Sequence, residues 1–119
     1  GGLRGAKGFL YEGGIRIPLA MQWPDAMPSS VRKQMHETHG GSMVVSEPVH
    51  FWDILPTIAE VATIHLPTTQ QIDGVSLLPL IEAAGHAITP PALERRMPLW
   101  WGMHRGRGGM GYALRLGEW

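Results

Sequence analysis

The chain has 119 residues, among them sixteen glycines and ten prolines, no cysteine, and ten basic against ten acidic side chains. That length suits one small domain or part of a larger one, and the balanced charge gives no case for nucleic acid or an anionic membrane surface as partner. The missing cysteine excludes disulfides, thiolate metal sites and a cysteine nucleophile within these residues, while leaving the redox compartment, and with it localisation, open. No apolar run approaches the roughly 20 residues of a membrane span.

Residues 1–14 form a glycine-punctuated stretch, which suits close backbone approach and positive φ. Ile15 to Trp23 then reads as a strand, β-branched at its start and nearly continuously apolar, as strands buried on both faces are. Pro18 inside it points to an edge, a bulge or a strand that starts just after it, and Trp23-Pro24-Asp25 closes it. Residues 25–48 read as a polar surface excursion broken by Pro28, Gly40 and Gly41.

Two helix starts share a design. Asp53-Ile-Leu-Pro56 and Ser76-Leu-Leu-Pro79 each place a side-chain acceptor at the N-cap and a proline in the first turn, where its missing N–H is harmless. The first helix is expected to run to about Thr63, with Ile54, Leu55, Ile58, Val61 and Ala62 forming an apolar face that needs a partner. The second is expected from Leu77 to Ala84, with Gly85 as its stop. Beyond Pro90-Pro91, Met97 to Met103 and Gly111 to Leu116 read as an antiparallel pair joined through Arg105-Gly-Arg-Gly-Gly109.

Candidate chemistry is sparse. His36-Glu-Thr-His39 has metal-ligand spacing for a helix, yet it is one residue short of His-Glu-x-x-His and runs into glycines. His50 and Asp53 are also three apart, but capping already accounts for Asp53. No serine stands in a Gly-x-Ser-x-Gly elbow, and Asp25, Asp53 and Asp73 lie in separate turns rather than a calcium cage. Arg105-Gly-Arg107 reads as a hairpin loop. Lys7, between Gly5-Ala6 and Gly8, offers a compact cation with backbone N–H groups nearby, suited to an anion; a plain surface lysine is the other reading.

Leu3-Arg-Gly-Ala-Lys-Gly-Phe-Leu-Tyr-Glu-Gly-Gly-Ile-Arg-Ile-Pro-Leu19, ending in Trp23-Pro24, resembles a signature stretch of the sulfatase family, which belongs to the alkaline phosphatase superfamily. The pattern there runs Leu-Arg-Gly-Gly-Lys-Gly, Tyr-Glu-Gly-Gly, Arg-Val-Pro, Trp-Pro-Gly. Asp53-Ile-Leu-Pro-Thr-Ile58, Asp73-Gly-Val-Ser-Leu-Leu-Pro-Leu80, Met97-Pro-Leu-Trp-Trp101 and Leu114-Arg-Leu-Gly-Glu-Trp119 continue the match in order. Ala6 replaces a usual glycine, and Asp25 the glycine after Trp-Pro.

The resemblance implies an α/β fold: the C-terminal part of a sulfatase, alkaline-phosphatase-like architecture, with an incomplete large sheet and the start of a small antiparallel subdomain. Residues 1–95 would supply the lysine loop, one sheet strand and packing helices, and residues 96–119 the truncated subdomain. It also implies a parent that cleaves sulfate esters, small-molecule or glycan, through a formylglycine nucleophile with calcium balancing the sulfate charge. Such parents are usually periplasmic, secreted or lysosomal. A related phosphate or phosphonate monoesterase and a non-catalytic truncated product are the alternatives. The Cys/Ser-x-Pro-x-Arg motif that yields formylglycine does not occur here, Ala26-Met-Pro28-Ser-Ser30 being a decoy, and the family's calcium carboxylates are expected upstream of Gly1. Lys7 matches the family lysine that contacts sulfate near the leaving oxygen, whereas Glu12, Arg16, Asp53 and Ser76 are expected to be structural. The chain alone is therefore expected to be a severed, inactive piece, with an unpaired strand edge and helix faces lacking their core.

Overall fold

The computed structural model describes residues 2–22, 33, 37, 44–85, 92–106 and 109–117. The chain divides into two units, one drawn from residues 1–21 and 97–119, the other from residues 22–96.

In the first unit a glycine-rich loop leads into a one-turn helix, α1 (Glu12–Ile15), and the C-terminal residues form a hairpin of β1 (Leu99–Gly106) and β2 (Gly109–Arg115). The strands pair antiparallel, with Trp100 opposite Leu114, Gly102 opposite Tyr112 and Met103 opposite Gly111, and the register is irregular between Met103 and Gly106. The expected antiparallel pair is present, but β1 begins two residues later and both strands run into the Arg105–Gly109 stretch read as their connection. Directly opposed residues share a face, so Trp100, Gly102, Tyr112 and Leu114 line one side, and there Tyr112 and Leu114 are about 78% and 69% exposed. The other side holds buried Leu99 and half-buried Trp101, Met103 and Ala113. A Cβ at Gly111 would meet the Leu10 side chain at 3.1 Å, so the glycine lets Leu10 lie against β2.

In the second unit a 3₁₀ turn, Phe51–Asp53, runs directly into α2 (Ile54–Val61), and α3 (Leu78–Gly85) follows a long connection. The buried set is small: Ala59, Leu77 and Leu80, with the polar Asp53 and Thr57 fully enclosed. The expected apolar face of α2 does not form this core. Leu55 and Ile58 stay more than half exposed, because hydrogen bonds turn the Thr57 side of the helix inward, as described below. The helix also stops before Thr63. Ala62 is its C-cap, Thr63 takes φ +57, and the Thr63 and Ile64 N–H groups donate to the Glu60 and Ala59 carbonyls at 3.0 and 2.8 Å. That is a Schellman stop built on threonine instead of glycine. The second helix begins one residue later than its pattern suggested and retains Gly85 as its last residue.

The segment from Ile15 to Trp23, read as a strand of a large sheet, shows no strand among its described residues: Ile15 closes α1, and residues 16–22 have no regular structure. Ile17, Leu19 and Met21 are 54%, 46% and 41% exposed. A strand is defined by its neighbours, and among the described residues the only paired strands are β1 and β2. Trp23-Pro24-Asp25 and the Ala26–Ser30 string lie outside the described residues, as do His36, His39, Arg107 and the Pro90-Pro91 break.

Candidate functional site

The lysine loop is built almost entirely by its own backbone. The Phe9 N–H donates to the Ala6 carbonyl at 3.0 Å, closing a four-residue turn with Lys7 and Gly8 at its corners. Gly8 has φ +94, as the third residue of a type II turn requires, and glycine alone adopts that without strain. The Gly13 N–H donates to the Arg4 carbonyl at 2.8 Å, joining the arms of the loop. Behind the turn, α1 approaches so closely that a Cβ on Gly14 would sit 2.0 Å from the Phe9 carbonyl oxygen, and one on Gly13 2.3 Å from that of Gly5. Glycine is a poor helix former, so its presence inside α1 answers to this contact. Lys7 itself is exposed.

Two further residues join the arms. The Arg4 guanidinium lies 3.9 Å from the centre of the Tyr11 ring and donates to the Tyr11 hydroxyl at 3.0 Å. Glu12 and Arg16, expected to order the junction, face each other across one helical turn at 3.5 Å, and Glu12 also meets Arg115 of β2 at 3.8 Å. These pairs are solvent-exposed and contribute little to stability.

The second unit holds a different cluster. Asp53 was expected to cap α2, but its carboxylate makes no cap bond to that helix. Oδ2 accepts the His50 N–H at 2.7 Å and Arg95 Nη2 at 2.7 Å. Oδ1 accepts the Val75 N–H at 3.0 Å and Arg95 Nη1 at 2.7 Å. Arg95 also donates to the Pro48 carbonyl at 3.2 Å. The bidentate geometry is the strong form of an Arg–carboxylate pair. Asp53 is fully enclosed and each oxygen already accepts two donors, so it has nothing left for a metal or a substrate. All four of these bonds stay within the fold, and none is the cap to α2 that its spacing suggested. Burial pushes its carboxyl up, but hydrogen bonds from Arg95, Val75 and His50, with the Arg95 charge, outweigh that and hold it below the usual carboxylate value. Beside it, His50 stacks on Trp52 with ring centres 3.8 Å apart. Burial pulls the His50 pKa down, opposed by Asp53 and assisted by Arg95.

Thr57 links the same elements. Its hydroxyl donates to the Asp53 carbonyl at 2.5 Å and accepts the Leu77 N–H at 2.9 Å. The Ser76 hydroxyl accepts the N–H of Leu78, the first residue of α3, at 3.2 Å. The first N–H groups of α3 are thus met partly from within and partly by α2. A Cβ on Gly74 would fall 1.9 Å from the Trp52 carbonyl oxygen, so the chain before α3 lies directly on the 3₁₀ turn. Neither Arg95 nor Thr57 stood out in the sequence. Thr57 lies one helical turn after Asp53, a weak signal, and Arg95 has no local pattern at all.

Among the described residues no group of three or more His, Asp or Glu side chains gathers in a way that could hold a metal ion. No described helix is long and apolar enough to cross a membrane.

No family model matches the chain. It is similar to the mouse steryl-sulfatase, 36% identical over 81 residues, 68% of this chain and 11% of that protein. Human arylsulfatase D is 33% identical over 82 residues, covering 68% of this chain and 12% of its own length. A sulfatase of Formosa agariphila is 37% identical over 78 residues, 63% of this chain and 12% of that protein. The chain therefore spans only about a ninth of the length of the curated relatives it matches. Over roughly two thirds of its own length it is sulfatase-family sequence.

Proposed function

We propose that this chain contributes the sulfate-facing cation, Lys7, to a sulfate-ester hydrolase acting on a small-molecule or glycan sulfate. The observation that carries the reading is an exposed lysine at the corner of a turn closed by a backbone hydrogen bond, in a chain similar to sulfatases. Hydrolysis of a sulfate ester adds water at sulfur and releases an alcohol as the S–O bond breaks. Negative charge grows on the sulfate oxygens and on the departing oxygen, and a cation held in place beforehand stabilises it without reorganising. A lysine ammonium at that oxygen can also deliver the proton that the alkoxide needs.

The nucleophile and any calcium site belong to other residues. The described ones do not fit a calcium ion, since they bring no carboxylate cluster together and the enclosed Asp53 is saturated. The chain alone is accordingly expected to release nothing from 4-nitrophenyl sulfate above a Lys7→Ala control.

The positive test is a chimera: residues 2–22 replace their counterpart in the Formosa agariphila sulfatase, with kcat measured on matched aryl sulfate and aryl phosphate esters. Lys7→Ala in the chimera should lower sulfate turnover by about 10²- to 10³-fold, the loss typical of one preorganised charge stabiliser. Unchanged turnover on removal of Lys7 would sink the reading.

A further inference from the structure

We propose that Arg4 and Tyr11 are positioning residues that hold Lys7 in register with its anion. The inference rests on the reading of Lys7 as the sulfate-facing cation. The turn at Ala6–Phe9 is closed by one backbone hydrogen bond, and a second joins the arms from Gly13 to Arg4. Those bonds set the shape of the loop, but each is a single contact that solvent competes for. Across the same opening the Arg4 side chain reaches over seven residues to Tyr11, with its guanidinium 3.9 Å from the ring centre and one nitrogen 3.0 Å from the hydroxyl. A guanidinium over an aromatic face adds attraction that depends on the ring itself, and the planar fork is ordered at modest entropic cost.

Tyr11 is also the N-cap of α1, and its Cβ lies 3.0 Å from where a side chain on Gly5 would begin. Gly5 itself has φ +81. Tyr11 thus lies close against Gly5 on one arm of the loop, while its backbone starts the helix that backs the turn. Neither residue needs to touch substrate: the Arg4 guanidinium is already engaged by the ring and the hydroxyl. Their effect passes through the placement of Lys7, where an error of about 1 Å can cost on the order of 10² in rate.

The test uses the same chimera, with kcat and KM normalised to folded protein. Tyr11→Ala is expected to lower kcat by about 10- to 100-fold while KM changes by less than about threefold. Tyr11→Phe keeps the ring and loses only the hydroxyl bond, so its kcat should fall between those of wild type and Tyr11→Ala. Arg4→Gln, the milder change should Tyr11→Ala fail to fold, is expected to lose about tenfold in kcat. A Lys7→Ala effect with kcat unmoved by Arg4→Gln and Tyr11→Ala overturns the positioning role alone, whereas no effect of Lys7→Ala overturns the reading beneath it. In the full 119-residue chain, tryptic cleavage after Lys7 should speed up by about tenfold in Tyr11→Ala as the loop opens. An unchanged rate there overturns the claim that the pair holds the turn.

Discussion

Removing Arg95 should be among the most damaging single changes in the second unit. Asp53 is fully enclosed and Arg95 only 11% exposed at its side chain, with both guanidinium contacts at 2.7 Å. Arg95→Met keeps the length and apolar stem of the side chain but strands a buried carboxylate, a loss that typically costs about 3–5 kcal/mol. Two backbone donors, the His50 and Val75 N–H groups, remain on that carboxylate, which places the expectation near the lower end, about 3 kcal/mol. For a domain of this size that corresponds to a fall of roughly 12 °C or more in Tm. Asp53→Asn leaves a neutral acceptor and a guanidinium free to find water, so it should cost less than Arg95→Met.

Thermal and urea unfolding followed by circular dichroism, with the double variant completing the cycle, would measure the coupling. The same variant tests the proton linkage. The folded Asp53 pKa lies below its unfolded value, so its contribution is present above the unfolded pKa and is lost as pH falls through the folded one. Without Arg95 the folded pKa must rise, and the acid transition should move to higher pH. A cost below about 1 kcal/mol, or an acid transition that stays put, would refute the assignment of Arg95 as the partner that keeps Asp53 charged.

Other outcomes follow from single contacts. Thr57→Val leaves the buried Leu77 N–H without its acceptor and should cost about 1–3 kcal/mol in urea unfolding. Gly74→Ala puts a methyl group 1.9 Å from a backbone oxygen and should cost about 3 kcal/mol, with the loss of protection read at the Val75 amide by hydrogen exchange. Thr63→Gly should stabilise by up to about 1 kcal/mol, because it removes a β-branched side chain from φ +57; a lower Tm would refute that account. The folded His50 pKa is lowered, so its contribution is present above the unfolded pKa and is lost as pH falls below it. Tm should therefore decline from pH 7.5 to pH 5.5, and His50→Gln should flatten the decline.

The readable part of this protein was local. The glycine-punctuated loop around Lys7, the helix starts near Asp53 and Ser76 and the hairpin of β1 and β2 are set by residues within a few positions of one another, so spacing and residue type disclose them. The sulfatase likeness lay in the same short blocks. Three things were decided by tertiary structure alone. Asp53 makes no cap bond to α2: its carboxylate accepts the His50 N–H at the start of the 3₁₀ turn and pairs with Arg95, 42 residues away, a partner that no window on the sequence contains. The inward side of α2 is the Thr57 side, where the Thr57 hydroxyl accepts the Leu77 N–H, 20 residues on, while Leu55 and Ile58 stay exposed. The stretch after Ile15 has the composition of a sheet strand, yet a strand exists only through a neighbour's N–H and C=O groups. A residue's own chemistry sets what it can bond, and the path of the intervening chain sets what it meets.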